Sequence, residues 1–246
     1  VKETVLFRSA LGHPWLLYSP VDRNGSPITL IHGVTARASE DVNLVHLARC
    51  IASLGHPCLT PPLEGLAHFR HTDEDIQTVV DAFRRSNDLF DAPTAVWGFS
   101  YGASYALSAA SQPECRHACR FMVGFGAYCE LDSALEHQER LLVSRPDPSE
   151  DDSDLLYLRY TLLVAHRAEL DLSPLAWADI DQTLTDFMDP APLSERQRAL
   201  MQHARHLDYA QLMAAYRRRV LPRALSPKGR LNGVQCPVAL LHDPND

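Results

Sequence analysis

One short run limits the folds open to this chain more than any other part of it. Ala95-Val96-Trp97-Gly98-Phe99-Ser100-Tyr101-Gly102-Ala103 reads as an apolar strand, a tight turn and the start of a helix. Glycines two places before and two places after Ser100 complete a G-x-S-x-G pattern. A turn this sharp crowds the backbone beside the serine, so both places favour a residue without a Cβ. It also lifts the serine hydroxyl clear of the sheet. The helix beginning beside Ser100 aims its free N–H groups and positive dipole end at any negative charge that develops there. Five common residues in this order also fit an ordinary serine in a glycine-bracketed turn. The context favours a nucleophile: Pro93 introduces the strand, and Ala103, Ala106, Leu107, Ala109 and Ala110 give a small-residue helix that can pack closely on a sheet.

A second segment predicts the sheet itself. Ile28 to Ile31 is an apolar, β-branched strand that ends in His32-Gly33-Val34. A helix over Glu40 to Leu54 is expected next, with Ser39 as N-cap and Glu40 and Asp41 in an acidic first turn. Leu44, Leu47, Ala48, Ile51 and Leu54 recur at helical spacing, and Gly55 closes the helix. Cys58-Leu59-Thr60 resumes strand character before Pro61-Pro62-Leu63-Glu64-Gly65. Strand, helix and strand at this spacing form a βαβ unit, which requires parallel strands. Upstream, Thr4 to Arg8 and Trp15 to Tyr18 read as an antiparallel pair joined near Gly12. Downstream, Thr72 starts a helix to about Ser86, with Asp75 closing a turn like a capping box. Strands are expected over Ala95 to Trp97, Phe121 to Phe125 and Val238 to Leu241.

These residues resemble the α/β-hydrolases, of the monoacylglycerol-lipase and carboxylesterase sort. The likeness lies in TLIHGVTARASEDVNLVHLARCIASLGHPCLTPPLEGL followed by AVWGFSYGASYALSAA. It implies an α/β fold with a mostly parallel, doubly wound sheet, an HG motif after strand three and a nucleophile elbow after strand five. It further implies that the backbone N–H groups of Val34 and Tyr101 form an oxyanion hole. Pro62-Leu63-Glu64-Gly65 stands where the family often carries a loop containing proline and glycine. His32 belongs to the HG motif and is expected to be structural. The likeness covers the first half of the chain and a short C-terminal piece, and it covers the middle poorly.

That C-terminal piece is Cys236-Pro237-Val238-Ala239-Leu240-Leu241-His242-Asp243-Pro244-Asn245-Asp246. It reads as a buried strand and a turn. It resembles the family's seventh strand, whose following loop carries the triad acid. The spacing of that loop aligns the acid with Asp246, and Asp243 is the runner-up. Two aspartates after a strand also suit plain turn chemistry. In this fold the triad runs serine, acid, histidine in chain order. The histidine is therefore expected beyond Asp246, together with a C-terminal strand and helix absent from this chain.

The composition fits one sizeable core with an insertion: 246 residues, 46% of them hydrophobic. A net charge of −8 without a basic stripe does not suit nucleic acid. Arg217-Arg218-Arg219 is expected to be a solvated helix end. Six cysteines without a C-x-x-C motif, several inside apolar patterns, suggest buried thiols in a reducing, cytoplasmic compartment. Cys115, His117 and Cys119 are too few for a zinc site, so no metal is expected. No apolar run has membrane-spanning length, and no integral membrane segment is expected.

Roughly a hundred residues separate strands six and seven, far more than an ordinary loop. Leu155, Leu158, Leu162 and Leu163 follow a helical pattern, as do Ile180, Leu184, Phe187 and Met188. Ser194 can cap a third helix, and Tyr209, Leu212, Met213 and Tyr216 suggest a fourth. In the hydrolase family an insertion here is the cap over the active site. The expected division is hydrolase core over residues 1–131, helical cap over 132–230 and core again, with strand seven and the acid loop, over 231–246. Tyr157, Tyr160, Trp177, Phe187 and Met188 could line an apolar acyl pocket or pack the cap onto itself.

Together the parts imply a serine hydrolase of the esterase or lipase type. Ser100 attacks a carboxylic ester or thioester, Asp246 orients the histidine, and water releases the acyl group from the serine. No cofactor is needed, and the partner is a small-molecule acyl ester. Transfer of the acyl group to another acceptor is the alternative. A non-catalytic member of the fold that binds a ligand through the cap is a second alternative.

Overall fold

The computed structural model of the protein describes residues 1–68, 70–145, 153–170, 195, 207–220 and 225–242. The chain divides into two compact units, Val1–Glu130 with Arg223–Asp246, and Leu131–Pro222.

The first unit is built on a seven-stranded sheet. In chain order the strands are β1 (Lys2–Arg8), β2 (Pro14–Ser19), β3 (Ile28–Ile31), β4 (Cys58–Thr60), β5 (Thr94–Phe99), β6 (Cys119–Phe125) and β7 (Val238–Leu241). Their order across the sheet is β1-β2-β4-β3-β5-β6-β7. β2 runs antiparallel to both β1 and β4, and every other pairing is parallel. The hairpin, the βαβ unit and the elbow strand therefore lie as the sequence predicts. β5 extends beyond Ala95 to Trp97 at both ends. β3 is buried along its whole length, as an apolar β-branched run flanked by two parallel neighbours must be.

Four helices belong to this unit: α1 (Val42–Ser53), α2 (Glu64–Ala67), α3 (Asp73–Phe90) and α4 (Tyr101–Ala110). Leu44, Ala48, Ile51 and Ala52 of α1 pack on the sheet face formed by Leu16, Tyr18, Leu30 and Cys58. Ala82 of α3 joins Trp15 and Leu59 on the opposite face. α4 lies beside α3, and every residue of it after Tyr101 is buried. Alanine, glycine and serine at most of its positions allow that close approach.

The start of α1 and the end of α3 differ from expectation. α1 begins at Val42, and its N-cap is Asp41, whose carboxylate accepts from the Asn43 and Leu44 N–H groups at 3.0 and 3.1 Å. Ser39 is instead buried in a 3-10 turn, Ala38–Glu40, and its hydroxyl donates to the Pro14 carbonyl at 2.5 Å. A carboxylate next to the helix satisfies two orphan donors where the more distant serine could satisfy none. At α3, Thr72 does cap, accepting from the Asp75 N–H at 3.3 Å. The Asp75 carboxylate takes a hydrogen bond from the Thr72 side chain and has a second role. It turns to α2 and accepts from Gly65 and Leu66 N–H at 2.9 and 3.0 Å. α3 runs on to Phe90 and ends with Asp91 in the left-handed conformation.

In the second unit, α5 (Leu131–Ser144), α6 (Ser153–Ala165) and the next described helix, α7 (Tyr209–Val220), pack on one another. α6 and α7 carry two of the helical patterns read from the sequence. The other two, around Ile180 to Met188 and after Ser194, lie outside the described residues. Arg217 is not simply solvated. It pairs with Asp132 and Glu139 of α5, which hold its guanidinium above its ordinary pKa. Arg219 pairs with Glu169 at 3.0 Å. The arginine run thus braces this unit because α5 presents carboxylates to the last turn of α7, a contact the local sequence does not reveal.

Candidate active site

The chain reverses sharply between β5 and α4, and Ser100 sits at the reversal. Its φ of 51° and ψ of −130° mirror an extended L-residue conformation, so any side chain there is strained. The surrounding contacts hold it in place. Ser100 N–H donates to the Phe125 carbonyl at 2.7 Å, and Ser100 carbonyl accepts from Ala103 N–H at 3.0 Å. The residue is exposed, and its side chain makes no capping bond to the helix it begins. A hydroxyl that caps nothing, at the positive end of a ten-residue helix, is placed for chemistry with an external partner.

The flanking glycines are required by space. A Cβ on Gly98 would lie 2.5 Å from the Ala103 Cα. A Cβ on Gly102 would collide with the carbonyl of His32. A Cβ on Gly33 would come within 3.0 Å of both the Ser100 Cβ and the Phe99 carbonyl. The His32-Gly33-Val34 loop therefore lies in backbone contact with the elbow, although the two are far apart in sequence. Tyr101 follows Ser100, and Val34 is one Cα step of about 3.8 Å beyond Gly33. The two expected oxyanion donors thus belong to segments that meet at Ser100.

His32 ties this loop down. Its Nε2 accepts from Leu63 N–H at 2.9 Å, so the ring proton sits on Nδ1 and is donated to the Gly33 carbonyl at 2.6 Å. Burial draws its pKa down to about 4 against the pull of the Gly33 bond. It is neutral near pH 7 with both nitrogens engaged, so it joins the loops after β3 and β4 and is not a general base.

A second buried histidine supports the elbow from the side. The His71 ring lies against the Tyr101 ring with centroids 4.4 Å apart, and its Nδ1 meets the Tyr105 hydroxyl at 2.8 Å. Burial lowers its pKa to about 3. Tyr128 packs edge-on to Tyr101 at 5.2 Å. Ser104 Oγ accepts from the Tyr128 N–H and donates to its carbonyl, both at 2.9 Å. Beneath the same loop, burial raises Asp75 to about 7 despite the N–H groups of Gly65 and Leu66. His71 lies in the loop between α2 and α3. Its spacing from Tyr101 and Tyr105 carries no local signal.

Of the other expected site residues, Asp246 and its alternative Asp243 lie outside the described residues, as do Trp177, Phe187 and Met188. Tyr157 is half-buried and Tyr160 buried on α6 in the second unit. Among the described residues, no three His, Cys, Asp or Glu side chains converge to hold a metal ion. No described helix is long and apolar enough to cross a membrane.

No family model matches the sequence, and no curated protein matches it. Solved structures do match. VinJ aligns over 97% of this chain and 80% of its own, at 14% identity and a TM-score of 0.50. An alpha/beta hydrolase from Sphaerobacter thermophilus aligns over 100% of this chain and 83% of its own, at 14% identity and a TM-score of 0.44. DcsB, in complex with its substrate analogue, aligns over 60% of this chain and only 56% of its own, at 15% identity and a TM-score of 0.42. The chain has the α/β-hydrolase fold, with its mostly parallel seven-stranded sheet and flanking helices. Identities this low speak for the fold alone.

Proposed function

We propose that the protein is a serine hydrolase that cleaves a carboxylic ester or thioester through an acyl-enzyme on Ser100. The observation that carries this reading is the exposed, strained serine at the start of α4, with Gly33 of the HG loop packed against it. A strained, exposed nucleophilic side chain at the start of a helix is a mark of a working site. Ser100 Oγ attacks the substrate carbonyl, and the N–H groups of Val34 and Tyr101 receive the developing oxyanion. Asp246 orients the imidazole base and stabilises its cation, as the triad of this fold requires. His32 and His71 are poor candidates for that base, because both are buried and stay neutral well below pH 7. Water then attacks the acyl carbonyl and frees the serine.

In this proposal residues 132–230 form a helical cap, and Tyr157, Tyr160, Trp177, Phe187 and Met188 contribute an apolar acyl pocket. No cofactor takes part. The buried thiols Cys58, Cys115 and Cys119 support a cytoplasmic setting.

The test is a fluorophosphonate probe together with a series of p-nitrophenyl acyl esters. Wild type should be labelled and should release p-nitrophenol, and Ser100→Ala should do neither. Undiminished labelling of Ser100→Ala would overturn the assignment of the nucleophile. A labelled wild type that turns over only when an alcohol or thiol acceptor is added would indicate acyl transfer. A folded wild type that binds acyl esters without labelling or turnover would indicate a ligand-binding protein.

A further inference from the structure

Two thiols far apart in sequence meet at one edge of the sheet. Cys119 is the first residue of β6 and is buried, and Cys236 stands one residue before Pro237 and β7 and is partly exposed. Their sulfurs are 3.4 Å apart, with the Cys236 thiol donating to Cys119. This meeting depends on a bulge. β6 pairs with β5 through Thr94↔Cys119 and then Ala95↔Phe121, so Arg120 is the extra residue. Arg120 and Phe121 are exposed while Cys119 and Met122 are buried. β7 joins β6 just beyond, with Met122 opposite Val238 and Met122 N–H donating to the Pro237 carbonyl at 2.9 Å. Register continued back from that pair sets residue 236 level with residue 120, and the bulge brings Cys119 to that level.

We infer that Cys119 and Cys236 form a reversible disulfide, a redox-modifiable site that clips β7 to β6. Closure to a disulfide of about 2.05 Å needs the sulfurs to approach by about 1.4 Å. The two cysteines have distinct roles. Cys236 is the accessible partner, so it meets an oxidant first. Cys119 is buried and waits as the resolving thiol.

A low-molecular-weight disulfide such as oxidised glutathione serves as oxidant. The Cys236 thiolate attacks one of its sulfurs, forming a mixed disulfide and releasing one glutathione thiolate. The Cys119 sulfur then attacks Cys236 Sγ. The second glutathione leaves and takes up the proton that Cys119 loses. The two cysteines give up two electrons, and the oxidant becomes two thiols.

The link would matter to β7. Among the described residues this strand pairs with β6, and Val238, Leu240 and Leu241 are 40 to 50% exposed. The disulfide would also close a loop that contains the whole second unit, which restricts the unfolded chain. This site does not depend on the proposed hydrolase reaction.

The test uses the full chain with Cys50→Ser and Cys129→Ser, which removes the two exposed thiols. The protein is equilibrated at pH 7.5 in mixtures of oxidised and reduced glutathione, alkylated and mapped by peptide mass spectrometry. The expected result is loss of two free thiols, a linked pair of peptides containing Cys119 and Cys236, and reversal by dithiothreitol. The melting temperature should rise by roughly 5–10 °C on oxidation. Adding Cys236→Ser should abolish both the link and the rise. Stable glutathione on Cys236 that is never resolved, a link from Cys119 to Cys115, or full alkylation of both cysteines after oxidation would each overturn the inference. The peptide map reads the unaltered pair, so misfolding of a Cys119 variant does not affect the outcome.

Discussion

Gly102 lies so close to the carbonyl of His32 that no side chain can fit between them. This contact joins the first turn of α4 to the loop after β3, and it brings Gly33 and Val34 to Ser100. A methyl group at residue 102 must push the two backbones apart, and neither is a flexible side-chain end. Gly102→Ala should therefore destabilise the protein by roughly 2–3 kcal/mol, read from the urea midpoint at unchanged slope. Probe labelling of Ser100 should fall further than the unfolded fraction explains. Wild-type stability in the Gly102→Ala variant would mean that the HG loop and the elbow are not in contact.

Strain at Ser100 predicts opposite effects on stability and reactivity. Glycine adopts the mirror of an extended conformation without penalty, whereas alanine does not. Ser100→Gly should be more stable than wild type by about 1 kcal/mol, and Ser100→Ala should be close to wild type. Neither should react with a fluorophosphonate. Equal stability of all three proteins in thermal unfolding would show that residue 100 is relaxed.

The buried histidines set the acid limb of stability. His32 and His71 have native pKa values of about 4 and about 3, below the ordinary 6.5. Below pH 6.5 the unfolded chain takes up protons at these sites that the native protein refuses. Their stabilisation is therefore full above pH 6.5 and is lost as pH falls toward 4 and 3, on the order of 3 kcal/mol for His32. Asp75 has the opposite sign. Its pKa is raised from 3.8 to about 7, so its contribution is full below pH 3.8 and is lost as pH rises through about 7. Denaturant unfolding across pH 4–8 should show His71→Phe flattening the acid side and Asp75→Asn flattening the neutral side. Unchanged slopes in both variants would mean that neither group is buried in the native protein.

Arg217 joins α7 to α5 through Asp132 and Glu139, with its side chain 22% exposed. Arg217→Ala should lower stability by about 1 kcal/mol, and the loss should shrink at high salt. Arg218→Ala should have little effect. Equal effects of the two substitutions, compared by differential scanning fluorimetry, would show that the arginine run acts only through its charge.

Some of this protein could be read residue by residue. Ile28-Thr29-Leu30-Ile31 specifies a buried strand because a short run rich in β-branched residues suits a strand flanked by parallel neighbours. Gly98 and Gly102 mark the elbow because a sharp turn restricts side-chain volume two places to either side of its apex. The alanines of α4 announced a helix packed close to the sheet. These are local constraints with periods of a few residues, and sequence carries them directly.

The tertiary structure decided which polar group met which. Asp41 rather than Ser39 caps α1, because the serine hydroxyl is held by the distant Pro14 carbonyl. Asp75 also bonds the N-terminus of α2, which lies within its reach only once the loop after β4 has folded back. His32, His71 and the pair Cys119–Cys236 owe their properties to partners tens of residues away. Burial and hydrogen bonding set a side chain's charge and reactivity, and both depend on neighbours that folding brings together from separate parts of the chain. The sequence by itself determined that Ser100 would stand at a glycine-bracketed turn between strand and helix. The folded sheet supplied the backbone contact that holds the HG loop against that serine.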